Sequence, residues 1–415
     1  MTPLLLISYF FPPIGMAGAA RPFGLFRYLP DYGYRPYVLT VKDIIYPAHD
    51  TTMLTSADEK FISRTESLDP SRILYRLGLR RAHQPNQSGL MSRWATPDLK
   101  TGWRKFALAE AGRLIERHNI ELAVTTSPPP SIHQIGMTLQ KRHDITWVAD
   151  YRDMWVMRPI EDAYTSQRQR SCSHKLLEDY RSAADAIIAV NESVAEYAGA
   201  GHVVTNGADP ATFSDWDSAP DSGDRVFRIG YLGATDSERT LGPFIRALAD
   251  ALRQLNKSAN DVKVIFAGKA NILLLHELFA GEGLAESLEL AGYLPRSEAI
   301  RRLAPVDALL VTLPDDRLSH VTGSKIFDYL VSGKPIIAVA PRQSELGKLT
   351  LSENESVFEE ADVEALARKL KELIETKSNP STVSHLTGAE LKRRRERYSW
   401  KAMAKNFARV LDQSR

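Results

Sequence analysis

The chain has 415 residues, 43% of them hydrophobic and 25% charged, with a formal net charge of +2. That length predicts two or three domains, and the near-neutral charge excludes a nucleic-acid binder acting through a global basic field. Cys172 is the only cysteine, which excludes an internal disulfide and a thiolate zinc cluster and makes a reducing, cytoplasmic setting the expectation.

The first apolar run spans Leu4 to Phe11. No basic residue precedes it and Pro12-Pro13 ends it, so it reads as a buried strand rather than a membrane span or a signal peptide. Similar short runs recur: LLLISYF, PYVLTV, LAVTTS, TWVADY and AIIAV, then FRIGYLG, KVIFAG, LELAGYL, ALLVTL and PIIAVA. They lack clean alternation, as strands covered on both faces of a parallel sheet do. Helical patterns lie between them, among them WRKFALAEAGRLIERH and VEALARKLKELIE, so the expected class is α/β with doubly wound sheets.

After the first strand, YFFPPIGMAGAARPFGLFRYL predicts a turn holding Gly15 and Gly18, then a helix from about Arg21. Glycines there let amides approach an anion, although a tight connection needs them equally; the G-x-x-G spacing is not the dinucleotide fingerprint. In RILYRLGLRRAHQ, Arg72, Arg76 and Arg80 recur beside Ile73, Leu74 and Leu77, a pattern that suits an anionic membrane surface or a solvated helix. TTSPPPSIHQIGM is a stiff loop with His133 at the start of the next helix. WVADYRDMW places Asp150, Arg152 and Asp153 at a strand's carboxyl end, as functional groups or as an Arg-Asp pair tying loops together. Asn206-Gly207 is a turn.

TNGADPATFSDWDSAPDSGDR breaks the periodicity and reads as a linker. The expected organisation is an N-terminal domain over 1–207, a linker over 208–224, a second domain over 225–395 and a C-terminal helix over 396–415 packing back toward the first domain. Two doubly wound domains facing each other would enclose a central cleft lined by strand carboxyl ends. In the second half, IGYLGATDSERTLGPF offers Gly233 and Arg239, and IFAGKA offers Lys269. PDD, with Asp315 and Asp316, lies in the loop after ALLVTL. In GSKIFDYLVSGKP, Ser324 is the expected N-cap and Gly333 the C-cap of a helix whose first turn carries Lys325 and Asp328. A cation at a helix N-terminus is unfavourable unless an anion arrives, so the amides near Gly323 to Lys325 are a candidate diphosphate site.

Taken together, YFFPPIGMAGAARPFGLFRYL, TTSPPPSIHQIGM, WVADYRDMW, VVTNGADPATF, IGYLGATDSER and GSKIFDYLVSGKPIIAV make the chain resemble the retaining nucleotide-sugar glycosyltransferases of family 4, in its bacterial surface-polysaccharide branch. The resemblance covers essentially the whole chain and implies the GT-B fold of two Rossmann-like domains. It implies that Asp328 holds the nucleotide ribose, and that Lys325, Ser324 and Gly323 meet the diphosphate with Arg239 and Lys269. Gly15, Gly18 and Gly233 would line the donor, and Arg21, Arg152, His133 and Asp153 the acceptor side and the chemistry. The E-x(7)-E pattern of many relatives becomes His320 and Asp328 here, and the usual G-R after the first strand of the second domain becomes Gly233-Ala234. The implied activity is metal-independent hexosyl transfer from a nucleotide-diphosphate sugar to a glycan or lipid-linked acceptor, without a cofactor and at the inner face of the membrane. An epimerase or hydrolase of the same fold and a degenerate nucleotide-sugar-binding protein are the alternatives.

Overall fold

The computed structural model describes residues 1–15, 17–46, 49–78, 96–156, 167–217, 225–234, 238–313, 316–378 and 386–415. It divides into two compact units, Met1–Gly207 with Trp400–Arg415, and Ala208–Ser399.

The first unit is built on a seven-stranded parallel sheet. Its strands are β1 (Thr2–Ile7), β2 (Tyr34–Val41), β3 (Ile62–Thr65), β4 (Leu122–Ser127), β5 (Thr146–Tyr151), β6 (Ala186–Ala189) and β7 (His202–Val203), in the order β3-β2-β1-β4-β5-β6-β7. In β1, Leu4 and Leu6 enter one core, while Leu5 and Ile7 enter another on the opposite face. This two-sided burial is why the strand reads as an unbroken apolar run.

The last helix, Trp400–Gln413, belongs to this unit. Trp400, Met403, Ala404, Phe407, Ala408 and Leu411 join the core that contains Leu25 and Leu29. Gly24 permits the approach: a Cβ there would stand 2.7 Å from Trp400 Cε3.

The second unit carries a six-stranded parallel sheet: β8 (Phe227–Leu232), β9 (Val262–Ala267), β10 (Leu288–Gly292), β11 (Ala308–Thr312), β12 (Ile336–Val339) and β13 (Ser356–Phe358), ordered β10-β9-β8-β11-β12-β13. The strand order reverses between β8 and β11. In open parallel sheets such a switch point, at the carboxyl ends of the strands, is where a ligand crevice forms.

The stretch read as a linker is different in part. Residues 208–217 belong to the second unit, as the short helical turns Pro210–Phe213 and Ser214–Asp217. Phe213 and Trp216 are buried in its core, so two aromatic anchors override the turn-rich composition. Residues 218–224 lie outside the described residues. The second unit also extends to Ser399, where Ala208 N–H donates to Tyr398 O at 2.8 Å.

Candidate functional site

In the second unit the strand ends converge at the switch point. Gly233, just after β8, has φ +104° and donates its N–H to Ala267 O at 2.8 Å. Gly268, just after β9, has φ +155° and donates to Gly292 O at 2.8 Å. A Cβ on Gly268 would stand 2.2 Å from Gly233 O, so that glycine is dictated by backbone against backbone, whereas Gly233 is required by its left-handed φ. Lys269 follows, exposed.

Beyond β11, Gly323 (φ +73°) leads into the helix Lys325–Ser332, which Gly333 ends in the left-handed region. Ser324 occupies the N-cap position, as expected, but with helical dihedrals and no capping bond from its side chain. Phe327 N–H reaches back to Ser324 O at 3.3 Å. The amides of Lys325 and Ile326, like those of any first turn, have no intrahelical acceptor.

The Lys325 ammonium lies 4.0 Å from the ring centroid of Tyr231 and makes no ion pair among the described residues. It therefore sits at the positive end of a helix dipole, with a π face as its one partner among the described residues.

Tyr329, fully buried, fixes the helix to the sheet: its hydroxyl accepts from Leu232 N–H at 2.8 Å and donates to Leu310 O at 3.2 Å. The sequence reading missed this clamp.

Asp328 points inward. Its side chain is 1% exposed, Oδ1 accepts from Arg296 Nη2, and Oδ2 has no partner. Burial raises its carboxyl above the usual range, and the Arg296 guanidinium opposes the shift. Arg296 was not singled out from the sequence; it begins the helix Arg296–Arg302 after β10, and no motif links it to Asp328. His320 is buried on the approach to the helix. Asp316 is exposed, Asp315 lies outside the described residues, and so does the side chain of Arg239.

In the first unit the expected acceptor-side residues are placed differently from one another. Arg21 is 1% exposed and grips Asp150 at 2.8 and 2.9 Å through Nη2 and Nε. Its Nη1 donates to Val204 O at 2.8 Å and Thr205 O at 3.0 Å, and Asn206 Oδ1 lies 3.4 Å away. Asp150 also accepts from Thr126 Oγ1 at 2.6 Å. Both charges are thus buried and satisfied inside the fold, and the Arg-Asp tie uses Arg21 rather than Arg152.

Arg152 instead donates to Ser127 O at 2.5 Å and Gly18 O at 2.6 Å, stapling the proline loop to the first helix. That helix starts at Ala17, so Gly18 lies inside it and not in the preceding turn, while Gly15 is buried before it. Asp153 is half-buried and accepts from Met154 N–H at 2.9 Å.

His133 is fully buried, hydrogen-bonded through Nδ1 to Thr125 Oγ1 at 2.9 Å and stacked on Tyr151 at 4.5 Å. Burial pushes its pKa down to about 3, so the ring is a neutral part of the aromatic core at physiological pH. Arg72 likewise leaves the expected basic stripe: it is buried and paired with Glu66 at 2.9 Å. Arg76 is exposed beside Leu77, and Arg80 lies outside the described residues.

Among the described residues, no group of three or more His, Cys, Asp or Glu side chains is placed to hold a metal ion. No described helix is long and apolar enough to cross a membrane.

Residues 226–376, which contain β8 to β13 and the helix Lys325–Ser332, match the family model for glycosyl transferases group 1. No curated protein sequence is matched. Sucrose-phosphate synthase from Thermosynechococcus elongatus is similar in structure, with a TM-score of 0.63 at 14% identity over 100% of this chain and 99% of that one. The apo lipopolysaccharide outer core galactosyltransferase WaaB gives 0.60 at 11% identity, over 100% of both chains. S. aureus TarM, solved with fondaparinux, alpha-GlcNAc-glycerol and UDP, gives 0.60 at 9% identity, over 99% of this chain and 100% of that one. At these identities the structural likeness establishes the fold, which is GT-B with two Rossmann-like α/β domains. Together with the group 1 match it supports a glycosyltransferase.

Proposed function

We propose that this protein is a retaining, family 4 glycosyltransferase that moves a hexosyl group from a nucleotide-diphosphate sugar to a glycan or lipid-linked acceptor in surface-polysaccharide synthesis. The observation that carries the reading is the helix Lys325–Ser332. At the switch point of its sheet it presents two unmatched anion-binding features, its first-turn amides and Lys325, one turn from a buried carboxylate with an unpartnered oxygen.

In this reading the amides of Gly323 to Ile326 and Lys325 hold the diphosphate, with Lys269 and Arg239 adding charge, and Asp328 takes ribose. As the anomeric carbon–phosphate oxygen bond breaks, the electron pair stays on the diphosphate, where Lys325 and the amides stabilise the developing charge. The acceptor oxygen bonds to the anomeric carbon on the same face, and its proton passes to the departing phosphate. No metal or cofactor takes part. In the first unit, Arg152, next to Asp153, ties the proline loop to Gly18 in the first turn of the helix that follows Gly15. Arg21 and His133 support the same region from the core. The exposed Leu68, Ile73 and Leu77 with Arg76 suit peripheral contact with an anionic membrane at its cytoplasmic face.

Thermal shift with UDP, GDP and dTDP tests the site. Wild type is expected to be stabilised by at least one of them. Asp328→Asn and Lys325→Gln should weaken that nucleotide roughly tenfold to hundredfold, the loss of one charge-assisted contact. A wild type that no diphosphate stabilises, or an Asp328→Asn variant stabilised equally, defeats the assignment. A panel of UDP-, GDP- and dTDP-sugars with membrane extract as acceptor then reads turnover, and silence from every donor defeats the reaction.

A further inference from the structure

The carboxylate of Asp328 is not open on both oxygens. Oδ1 is held by Arg296 Nη2, and Oδ2 alone is left buried without a donor. The acid is 1% exposed and the arginine 37%, so the pair has a closed end in the core and an open end toward solvent. Among the described residues Arg296 makes no second polar contact, so Asp328 is its one anchor.

Charge decides what such a pair accepts. A buried carboxylate stripped of its counter-charge is strongly destabilised, so a ligand that displaced Arg296 would leave the acid uncompensated. A ligand that keeps Arg296 in place meets a neutral ion pair with one unfilled acceptor. The matching donor is a single uncharged hydroxyl. An ammonium would add a second positive charge beside the arginine.

Resting on the nucleotide-sugar reading above, we propose that Arg296 is a positioning residue of the donor site. It holds Asp328 charged and turned so that Oδ2 takes one ribose hydroxyl, and this single contact sets which nucleosides the site accepts. The site then discriminates between the 2′- and 3′-hydroxyls instead of gripping both. If the chosen group is the 2′-hydroxyl, deoxythymidine-linked sugars are excluded as donors.

The test uses whichever of UDP, GDP and ADP stabilises the wild-type full-length chain best, with its 2′-deoxy and 3′-deoxy analogues, read by calorimetry. Wild type is expected to lose roughly tenfold or more in affinity for one analogue and less than about threefold for the other. Arg296→Gln should shrink that contrast, and Arg296→Lys should restore part of it. In an Asp328→Asn background, Arg296→Gln should change affinity no further, because the two residues act through one contact. Unfolding of each ligand-free variant shows whether the fold is intact, and Arg296→Lys carries the test if the glutamine variant fails to fold. Equal loss with both analogues, or a contrast that survives Arg296→Gln, overturns the role of Arg296 while leaving the nucleotide site standing. If wild type binds all three forms alike, and Asp328→Asn does the same, both the role and the site fall together.

Discussion

Replacing Tyr329 with Phe is the sharpest probe of how the site is held. The ring is buried and stays packed in the variant, so apolar burial is unchanged and only the hydroxyl is lost. That hydroxyl is the acceptor for Leu232 N–H at 2.8 Å, at the last residue of β8 and directly before Gly233. The amide is left buried without a partner, which costs about 1–3 kcal/mol. The bond donated to Leu310 O at 3.2 Å goes too, but a carbonyl with two lone pairs suffers less from losing one. For about 2 kcal/mol, a unit of this size should unfold about 4–8 °C lower. Calorimetry of wild type and Tyr329→Phe, with amide exchange at Leu232 as the local readout, measures both consequences. A melting temperature within about 1 °C of wild type, with Leu232 equally protected, would refute the clamp.

Gly24→Ala places a methyl carbon 2.7 Å from Trp400 Cε3 and 2.9 Å from Cδ2. Overpacking of about 1–3 kcal/mol should outweigh a gain in helix propensity of at most about 1 kcal/mol, so urea unfolding should show a net loss of stability. Glu66 gives a pH signature: hydrogen bonds from Arg72 lead the causes that lower its carboxyl from 4.5 to about 2. The stabilisation is complete above pH 4.5 and lost as the pH falls toward 2. Its ceiling of about 3 kcal/mol falls to about 1–2 kcal/mol for a side chain open to water. Glu66→Gln should therefore be less stable than wild type at pH 7, with most of the difference gone at pH 3, as urea unfolding at the two values would show.

Strands were legible in the sequence for a simple physical reason. Runs such as Leu4 to Ile7 send successive residues into two cores, and no other role asks for apolar side chains at every position. The start of the helix Lys325–Ser332 was legible as well, because a lysine in a first turn conflicts with the dipole unless something external answers it. The linker was misjudged because Asp, Pro and Gly set the local pattern while Phe213 and Trp216 set the packing. Arg21 and His133 were illegible for another reason. A charged or polar group at a strand's carboxyl end looks the same whether it faces a ligand or braces the loops that do. What separates the cases is the partner, and Asp150 lies 129 residues from Arg21.

The same distinction underlies the choice of the second unit for the proposed donor site. Around Arg21 and Arg152 in the first unit the charged side chains close on the fold: Arg21 on Asp150, Asp150 on Thr126, Arg152 on three carbonyls, although His133 Nε2 in the same core stays unpartnered. Such a network holds backbone in place and has little left to offer a substrate. Around the helix Lys325–Ser332 the bonding is incomplete in a directed way. A lysine rests on an aromatic face, first-turn amides lack acceptors, and a buried carboxylate has one oxygen unfilled. In the proposed function each would be met by a different part of one molecule, anionic at one end and hydroxylated next to it. Three such features within one turn of helix are what supports the proposed donor site, and the Tyr329 clamp fixes the helix that carries them to β8 and β11.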